Sequence, residues 1–475
     1  MINLNSRDYL WSYIGVFFSV CSNIIVLPFI LYYLSSDMYG LWGVFQSVVA
    51  ITTLFDFGFS TTFARNINYC WCGATELRKT GVTYAEKSEP NFPLMKRAMT
   101  ACRYVFFLIS AIAFVCMAGP GTVYIRYISR ELPGWEPIVA WAFYALAIFF
   151  NLYYGYFSSF LRGVGAISAV NRVTVVARLV QVVLTVVLLM CGLGIIGTGV
   201  AYLAYGFLLR FLSKSSFMRF RGIGKGLETV KATATKNEIK ELFLIVWHNA
   251  SREGGVTLAN YLANQACTII SPLFLSLSVT GIYSLAVQLS TVLSNVAGAL
   301  YTANQPVLQS AYISNDKQLT RRTMSLIVVS YVSLYTVGLI AIVTVGLPIL
   351  RLIKPDTTPT VLIMLGVGLY QFMLKFRNCY TSYFSCTNRI LYARAFVISS
   401  VACVLLAVVM LWLGWGIWGM ILAQTISQGV YNVWYWALKA HKEMELSPKE
   451  TVVYGVEELL KIVRSFLHKG VEKNA

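Results

Sequence analysis

Two basic residues lie deep inside an apolar run of the sequence. Lys375 lies 16 residues into the segment 359–386, and Arg377 follows two positions later. An ionisable side chain at the middle of a bilayer costs at least ~2.5 kcal/mol unless it faces water or a partner, so such groups mark candidate binding sites. Arg and Lys are also the side chains that suit phosphate groups. These two residues therefore predict a site for an anionic ligand.

Four further charged residues lie at or near the ends of apolar runs. Asp56 lies toward the end of the run 38–64, and Arg65 closes that run. Arg162 and Arg252 mark the ends of two other runs. For the three arginines, the alternative to a binding role is that they extend their charged heads from the span end into the interface. Since basic groups outnumber the acid Asp56, the site would select an anionic substrate by its charge.

Polar side chains recur at helical spacing on several apolar runs. Asn260 and Asn264 share one face of the seventh run, Gln288 lies on the eighth and Gln371 lies on the tenth. Such stripes can join helices through interhelical hydrogen bonds, which is the alternative to lining a cavity. Together they favour a wet, cationic cavity. The candidate substrate-binding residues are Lys375, Arg377, Arg162, Arg252, Arg65, Asp56, Asn260, Asn264, Gln288 and Gln371.

Other kinds of chemistry have no support in the sequence. It contains three histidines and ten cysteines, and most of the cysteines lie in apolar runs where Cys behaves as a small hydrophobe. No Cys or His spacing predicts a metal site. The hexads 192–197 and 414–419 match G-x-G-x-x-G, but each joins two apolar runs and predicts a tight turn. We therefore predict that the protein is not an enzyme and has no metal or cofactor; a proton or sodium ion is left open as a coupling ion.

The elements that carry these residues are predicted membrane spans. Of 475 residues, 57% are hydrophobic and 12% are charged, and the mean hydropathy is +0.66, whereas roughly a quarter of a soluble domain is charged. Twelve apolar runs reach the roughly 20 residues that a helix needs to cross the hydrocarbon. The first run lacks a signal-peptide cleavage site and is predicted to be retained. The runs are 9–34, 38–64, 98–121, 137–161, 173–191, 195–213, 254–277, 280–311, 323–347, 359–386, 391–412 and 416–438.

Lys and Arg are distributed unevenly between the two sides of these spans. The chain carries 38 Lys and Arg against 20 Asp and Glu, for a net charge of +18. With Lys375 and Arg377 set aside, 32 basic residues fall in or near the connections on the side of the termini and four on the other side, namely Arg126, Arg130, Arg351 and Lys354. Cytoplasmic loops concentrate positive charge, so both termini are predicted to be cytoplasmic. The excess charge predicts anionic membrane lipids, and not nucleic acid, as a partner.

The sequence also repeats itself, with an offset that shrinks from 245 to 222 residues. Among five matches in the same order, Tyr39–Trp42 opens the second run as Thr280–Tyr283 opens the eighth, and the two glycine hexads recur at equivalent places. Six spans per copy give both copies one orientation, and such parallel repeats hold a transporter's substrate site at their interface. The predicted parts are a six-helix lobe 1–213, a cytoplasmic linker 214–250, a second six-helix lobe 251–440 and a cytoplasmic tail 441–475.

The tail carries a helix signal of its own. Ser447-Pro448-Lys449-Glu450 is a capping-box pattern, and apolar residues from Val452 to Leu467 then share one face. Basic residues are interspersed among them. We predict an amphipathic helix on the cytoplasmic membrane surface. A helix docked on the protein itself is the alternative.

The sequence resembles the polysaccharide-transporter branch of the MOP flippase superfamily, the O-antigen (Wzx-type) lipid-linked oligosaccharide flippases. The resemblance rests on Tyr39-Gly40-Leu41-Trp42, Phe55-Asp56-Phe57-Gly58-Phe59 and Ala64-Arg65, together with twelve spans in two halves, and covers most of 1–440. It implies an all-α polytopic membrane protein with twelve transmembrane helices in two parallel six-helix repeats, which is a MOP/MATE-like fold. It also implies that Asp56 and Arg65 belong to the family's second-span motif.

The function that the resemblance implies is lipid transport in the bacterial inner membrane. An undecaprenyl-diphosphate-linked oligosaccharide, an O-antigen or similar repeat unit of lipopolysaccharide, would move from the cytoplasmic to the periplasmic leaflet by alternating access. Polysaccharide polymerase machinery is a further partner to expect. A multidrug or other MOP-type exporter is the first alternative, and it should show acids where this chain shows basic groups. A membrane glycosyltransferase or polymerase would need catalytic carboxylates on a sizeable outer loop, and an assembly scaffold is a third alternative.

Overall fold

The computed structural model describes a chain whose regular elements, in the residues described, are all helices. Those residues are 25–50, 52–56, 59–77, 89–230, 257–313, 316–386 and 391–472, with Ser22, Phe243, Gly254 and Gly255. The helices are α1 (25–33), α2 (Ser36–Val49), α3 (Thr52–Asp56), α4 (Phe59–Trp71), α5 (Phe92–Cys116), α6 (Thr122–Ile128), α7 (Glu136–Tyr154), α8 (Tyr156–Gly163), α9 (Ile167–Met190), α10 (Gly194–Arg219), α11 (Ile223–Glu228), α12 (257–270), α13 (Leu277–Ala297), α14 (Ala299–Ile313), α15 (Lys317–Ala341), α16 (Leu347–Ile353), α17 (Val361–Cys386), α18 (Ala393–Trp412), α19 (Gly416–Gly429), α20 (Asn432–Met444) and α21 (Pro448–Glu472).

Eight helical stretches of the described chain are long and apolar enough to cross a membrane, and each coincides with a predicted run. They are Ser36–Asp56, Phe92–Ile128, Glu136–Gly163, Ser168–Met190, Gly194–Glu228, Leu277–Ala297, Lys317–Ile353 and Ala393–Trp412. The predicted run 9–34 lies largely outside the described residues, and α12, α17 and α19 occupy the other three runs. The chain is a multi-pass membrane protein.

Two compact units make up the chain, Met1–Tyr261 and Leu262–Ala475. The division falls inside α12. Helix α10 continues to Arg219, beyond residue 213 where the first lobe was predicted to end. Most of the predicted linker after residue 230 lies outside the described residues. The predicted boundaries at 213, 250 and 440 therefore stay predictions.

Each unit has an apolar core of its own. In the first unit, Phe63 of α4, Phe106 of α5 and Phe160 of α8 pack into one buried cluster. In the second, Cys267 of α12 and Leu374 of α17 belong to a buried cluster that also takes in α13, α18 and α19. Since burial of apolar side chains fixes one helix against the next, these cores set the positions from which the polar residues project.

The internal repeat is visible in how equivalent helices begin. Ser35 caps α2, since its hydroxyl accepts a hydrogen bond of 3.2 Å from the backbone N–H of Met38. Ser276 caps α13 in the same way, with 3.3 Å to the N–H of Val279. Both serines are extended at the N-cap and bond the third residue of the helix, which satisfies a backbone donor that the helix leaves open.

The third and ninth spans share a longer signature. Helices α5 and α15 each have 25 residues, a five-residue π-helical turn follows each of them, and α6 and α16 each have seven residues. Asn91 caps α5 and Asp316 caps α15. π-Helical turns are rare in proteins, so their recurrence after helices of equal length confirms the predicted duplication. The matched sequence motifs did not include this pair.

The glycine hexads form the tight turns predicted for them. Gly192 and Gly194 have φ values of 81° and 51°, and Gly414 and Gly416 have φ values of 81° and 57°. A side chain is strained at such angles, which explains glycine at these four positions. One turn joins α9 to α10 and the other joins α18 to α19, and in each case the two helices pack side by side. Neither hexad is a nucleotide-binding motif.

The predicted capping box of the tail is confirmed. The Ser447 N–H donates to the Glu450 carboxylate at 2.8 Å, and the Glu450 N–H donates to the Ser447 hydroxyl at 3.2 Å. On the outer face of α21, Val452, Val453, Val456 and Leu460 are exposed. Contact of this face with the membrane surface stays a prediction.

The inner face of α21 docks on α15, as the alternative interpretation of the tail had it. A Cβ atom at Gly455 would lie 2.6 Å from the backbone oxygen of Ser325, so only glycine permits this approach. Arg322 donates to Glu458 at 2.7 Å, and Lys461 donates to the same carboxylate oxygen at 2.7 Å. These two bonds hold the pKa of Glu458 below its usual value, so the ion pairs persist at neutral pH.

Substitution Gly455→Leu should undock α21, because the new side chain would overlap α15. We expect tryptic cleavage after Lys449 and Lys461 in the reconstituted protein to become several-fold faster, as measured by mass spectrometry. Val453→Leu, on the exposed face, is the matched control and should leave both rates unchanged. Equal cleavage of the wild type and the Gly455→Leu variant would contradict the docking.

Candidate functional site

Helix α17 holds Lys375 against a break between two neighbouring helices of the second unit. Helix α13 ends at Ala297, α14 begins at Ala299, and Gly298 lies between them. A Cβ on Gly298 would lie 2.6 Å from Cε of Lys375, so the lysine crosses the backbone where glycine leaves room for it. Its ammonium lies 5.3 Å from the centre of the Tyr301 ring, a cation–π distance.

The surroundings of Lys375 are favourable to a cation but do not neutralise it. The C-terminal end of a helix carries partial negative charge, and α13 ends beside the lysine. The side chain is half-buried, and no carboxylate of the described residues pairs with it. The Tyr301 ring and the C-terminal end of α13 compensate only part of the free-energy cost of removing the Lys375 ammonium from water. Lys375 can therefore pair with an anionic ligand.

Arg377 lies on a different side of α17 from Lys375. Its side chain is 0% exposed, lies 3.7 Å from the centre of the Phe396 ring and donates a hydrogen bond to Oε1 of Gln428. Asn432 donates to the same oxygen at 3.3 Å. Two positions along an α-helix rotate a side chain by roughly 200°, so the two cations do not share a pocket. Arg377 therefore joins α17 to α18 and α19, and its role as a ligand residue stays a prediction.

The amide residues of the predicted stripes are divided between the two units. Gln371 is buried on α17, one turn before Lys375. Asn264 on α12 and Gln288 on α13 are half-buried in the second unit. Asn260 lies on the part of α12 that belongs to the first unit. Their binding roles stay predictions.

Three predicted charged residues of the first unit lie on different described helices. The backbone N–H and the hydroxyl of Ser60 donate to Asp56 at 3.2 Å and 2.7 Å, so this carboxylate stabilises the first turn of α4. Arg65 lies within α4, and Arg162 is exposed in the last turn of α8. Arg252 lies outside the described residues. Helices α4 and α8, which carry Arg65 and Arg162, pack against each other, and the binding roles of all four residues stay predictions.

A ladder of polar contacts joins α7 and α8 to α10 in the first unit. Its rungs are Tyr144 with Thr198 (3.1 Å between the oxygens), Tyr154 with Arg210 (3.6 Å from the guanidinium carbon to the ring centre) and Ser158 with Ser213 (3.4 Å between the oxygens). Asn151 lies against Gly206, where any Cβ would overlap its amide. The rungs ascend in the same order on both sides, so α7 and α10 run parallel.

Arg178 is a deep cation that the sequence analysis missed. Its guanidinium lies 4.4 Å from the centre of the Tyr205 ring and donates to Gln181 at 2.9 Å. The rings of Tyr144, Tyr202 and Tyr205 form a stacked series, with centroids 5.7 Å and 6.3 Å apart. Arg178 caps this series at the Tyr205 end. Its partners are again a ring and an amide, which leave its positive charge in place.

Helix length explains why Arg178 was missed. The predicted fifth run began at residue 173, which placed Arg178 near a span end. Helix α9 begins at Ile167, and Arg178 is the twelfth of its 24 residues. Arg210 likewise closes the predicted run 195–213, whereas α10 continues to Arg219. An earlier start for the fifth helix, at the turn after Gly165, was the signal that could have revealed this site.

Known structures share the fold of this chain, whereas no protein-family profile and no curated protein sequence matches it. The inward-facing conformation of a multidrug resistance MATE family transporter of the MOP superfamily matches with a TM-score of 0.62 at 12% identity, over 90% of this chain and 95% of that one. An outward-facing conformation gives 0.52 at 12% identity, over 91% and 96%. A MOP superfamily transporter from Pyrococcus furiosus gives 0.53 at 13% identity, over 93% and 96%.

The chain has the MOP-superfamily fold. The predicted fold class, an all-α polytopic membrane protein with a MOP/MATE-like fold, is thereby confirmed, and the described residues hold eight of its predicted spans as long apolar helices. At 12% to 13% identity the likeness concerns the fold alone. These MOP-superfamily structures are transporters, and a shared fold does not by itself identify a function or a substrate.

Substitution Gly298→Val should displace Lys375 from the break between α13 and α14, because the added atoms occupy the path of its side chain. We expect amine-reactive labelling of Lys375, quantified by mass spectrometry, to become several-fold faster. Gly346→Ala is the control, since a Cβ there meets its nearest neighbour at 3.7 Å, an ordinary contact. Unchanged labelling in Gly298→Val would show that the break does not hold the lysine.

Proposed function

We propose that this MOP-fold protein is a flippase for an undecaprenyl-diphosphate-linked oligosaccharide, such as an O-antigen repeat unit. It moves the lipid from the cytoplasmic to the periplasmic leaflet of a bacterial inner membrane by alternating access, with both termini in the cytoplasm. The diphosphate binds to cationic residues while the sugars cross in water and the prenyl chain stays in lipid. Polysaccharide polymerase machinery receives the product.

One observation carries this proposal: the deep charges are cations whose neighbours leave them charged. Lys375 has a helix end and a ring beside it, and Arg178 has an amide and a ring. In the described spans, the carboxylates lie at or near helix ends, as Asp56 does where it caps α4. A site of this polarity favours an anion, since its cations can make charge-assisted hydrogen bonds to phosphate.

The charge also distinguishes this proposal from its main alternative. A multidrug or other exporter of cationic compounds would require carboxylates where this chain has Lys375 and Arg178. One matched structure, the transporter from Pyrococcus furiosus, is presented as having a binding pocket of reverse polarity that suggests a different function. Pocket charge can therefore differ between proteins of this fold, and it is a better guide to substrate class than the fold.

The enzyme alternative finds little support in the described outer segment between α6 and α7. Its carboxylate Glu131 is exposed and lies 3.9 Å from Arg130. A glycosyltransferase or polymerase would need a pair of carboxylates placed about a bound sugar. Transport remains the function that uses the observed cations.

In the mechanism we propose, each deep cation contributes a fixed positive charge. Lys375 supplies a single ammonium, which rotates freely to follow a phosphate. Arg178 supplies a planar guanidinium that Tyr205 and Gln181 hold in one orientation. Tyrosine hydroxyls of the first unit add donors and acceptors for sugars. The coupling ion, proton or sodium, stays open, and Asp56 is the candidate that the sequence offers for it.

Lys375→Ala should abolish most translocation, because a hydrogen bond to a charged group is worth about 1.5–3 kcal/mol, or roughly a 10- to 150-fold change in binding. The measurement is the leaflet distribution of the lipid-linked oligosaccharide in a deletion strain that carries each variant. Cytoplasmic accumulation is expected. Lys375→Arg should restore part of the activity, and Arg351→Ala, an exposed cation of α16, is the control. Full complementation by Lys375→Ala at equal expression would remove Lys375 from the site.

Arg178→Gln should also cause cytoplasmic accumulation, while Arg178→Lys should recover only a fraction of activity because an ammonium cannot stack in a plane on Tyr205. Exposed but unpolymerised repeat units in either variant would instead favour the polymerase alternative. Folded protein is verified by gel filtration in detergent, so loss of activity is separated from loss of the protein.

A further inference from the structure

A groove of about 700 Å³ separates α18 from α19 and α20 in the second unit. Its long wall is apolar and includes Ile398, Ala402 and Leu406 of α18 and Ile426 of α19. Ile398 is 69% exposed, so the groove is open along its length. In a membrane protein an open apolar groove among spanning helices faces lipid chains.

Positive charge is confined to one end of this groove. Arg394, the second residue of α18, and Lys439 of α20 both line it, and no acidic residue does. The Lys439 ammonium lies 5.7 Å from the ring centre of Trp436 and 5.9 Å from that of Tyr435. Within the described residues, neither cation has a carboxylate partner.

Aromatic residues gather at the same charged end. Tyr431, Tyr435 and Trp436 line the groove beside Lys439. Tyrosine and tryptophan are enriched at the level of lipid headgroups, where an apolar ring and a polar atom are both satisfied. The predicted topology places this end of α18 and α20 on the cytoplasmic side. The groove therefore has aromatic residues and two cations at the level of the lipid headgroups, followed by an apolar wall along the rest of its length.

We propose that this groove binds one anionic phospholipid. Its phosphate lies between Arg394 and Lys439, and an acyl chain follows Ile398, Ala402 and Leu406. Charge complementarity selects the headgroup, since two unneutralised cations at an interface attract an anionic lipid more than a zwitterionic one.

The length of the groove agrees with a lipid of one leaflet. From Arg394 to Leu406 the α18 backbone rises roughly 18 Å at 1.5 Å per residue. One leaflet contributes about half of a hydrocarbon core roughly 30 Å thick. A chain that starts at the charged end therefore reaches the bilayer midplane where the apolar wall ends.

A second groove of the same unit provides an internal comparison. It has about 640 Å³ and lies between α15 and α17, lined by Tyr335, Leu339, Val343, Leu369 and Phe372 among others, none of them charged. Such a surface can accept acyl chains but offers nothing to distinguish one headgroup from another. Selectivity for anionic lipid is expected from the first groove alone.

The test titrates the purified full-length chain in detergent with phosphatidylglycerol or phosphatidylcholine of the same acyl chains, followed by native mass spectrometry. The wild type should retain phosphatidylglycerol preferentially. The double variant Arg394→Ala/Lys439→Ala should bind it about 30-fold more weakly, which corresponds to about 1 kcal/mol for each basic residue near the surface. Ala402→Trp fills the trough without changing charge and should weaken binding of both lipids.

Lys442→Ala is the matched control, since this exposed lysine lies on the same helix α20 but does not line the groove. It should bind phosphatidylglycerol as the wild type does. Equal binding of the two lipids by the wild type, equal loss in Lys442→Ala, or no loss in the double variant would each overturn the proposal. The measurement involves no transport, so its result is independent of the flippase proposal.

Discussion

The cost of placing charge in a hydrocarbon layer governs this structure. A charged side chain within a span needs water or polar partners, and the choice of partner decides what the charge can do. Lys375 and Arg178 are compensated by rings, a helix end and an amide. Such partners lower the cost of burial without cancelling the charge, whereas a carboxylate would have cancelled it. The helix break at Gly298 makes room for Lys375, and the stacked tyrosines place a ring next to Arg178.

The sequence was sufficient for the described spans, the repeat and the turns, because the hydropathy of a segment and the glycines of a tight turn are local properties. The glycines around Leu193 and Trp415 behave as predicted, and so does the capping box at Ser447. The rotation of a helix about its own axis is not a local property, because it depends on the other helices against which it packs. Lys375 and Arg377, two positions apart in the sequence, were predicted to form one site. They lie on different sides of α17, because packing against α18 and α19 decides which way each residue points. The start of the fifth span was predicted too late in the chain, so Arg178 was not recognised as lying in the middle of a helix.

The two copies of the repeat share backbone features such as helix caps and turns, but they do not share the charged side chains within their helices. The serine caps of α2 and α13, the π-helical turns and the glycine turns recur in both units. The deep cations do not. At the offset of 222 residues that relates Gly192 to Gly414, Arg178 corresponds to Ser400, which is buried. A helix terminus has few ways to satisfy its backbone donors, so those solutions persist, while a side chain in the middle of a helix is free to change.

The partners of the cations also separate structural charge from charge that is available to ligands. Arg322 is paired with Glu457 and Glu458, and this acid-paired cation fixes α21 to α15. Lys439 instead lies beside three aromatic rings, and no carboxylate of the described residues pairs with it. An acid-paired cation has little left to offer a phosphate, since the carboxylate already occupies the donors that a phosphate would use. The net charge of +18 is therefore a poor measure of binding capacity. What matters is the subset of Lys and Arg that apolar or amide surroundings hold in place and leave charged.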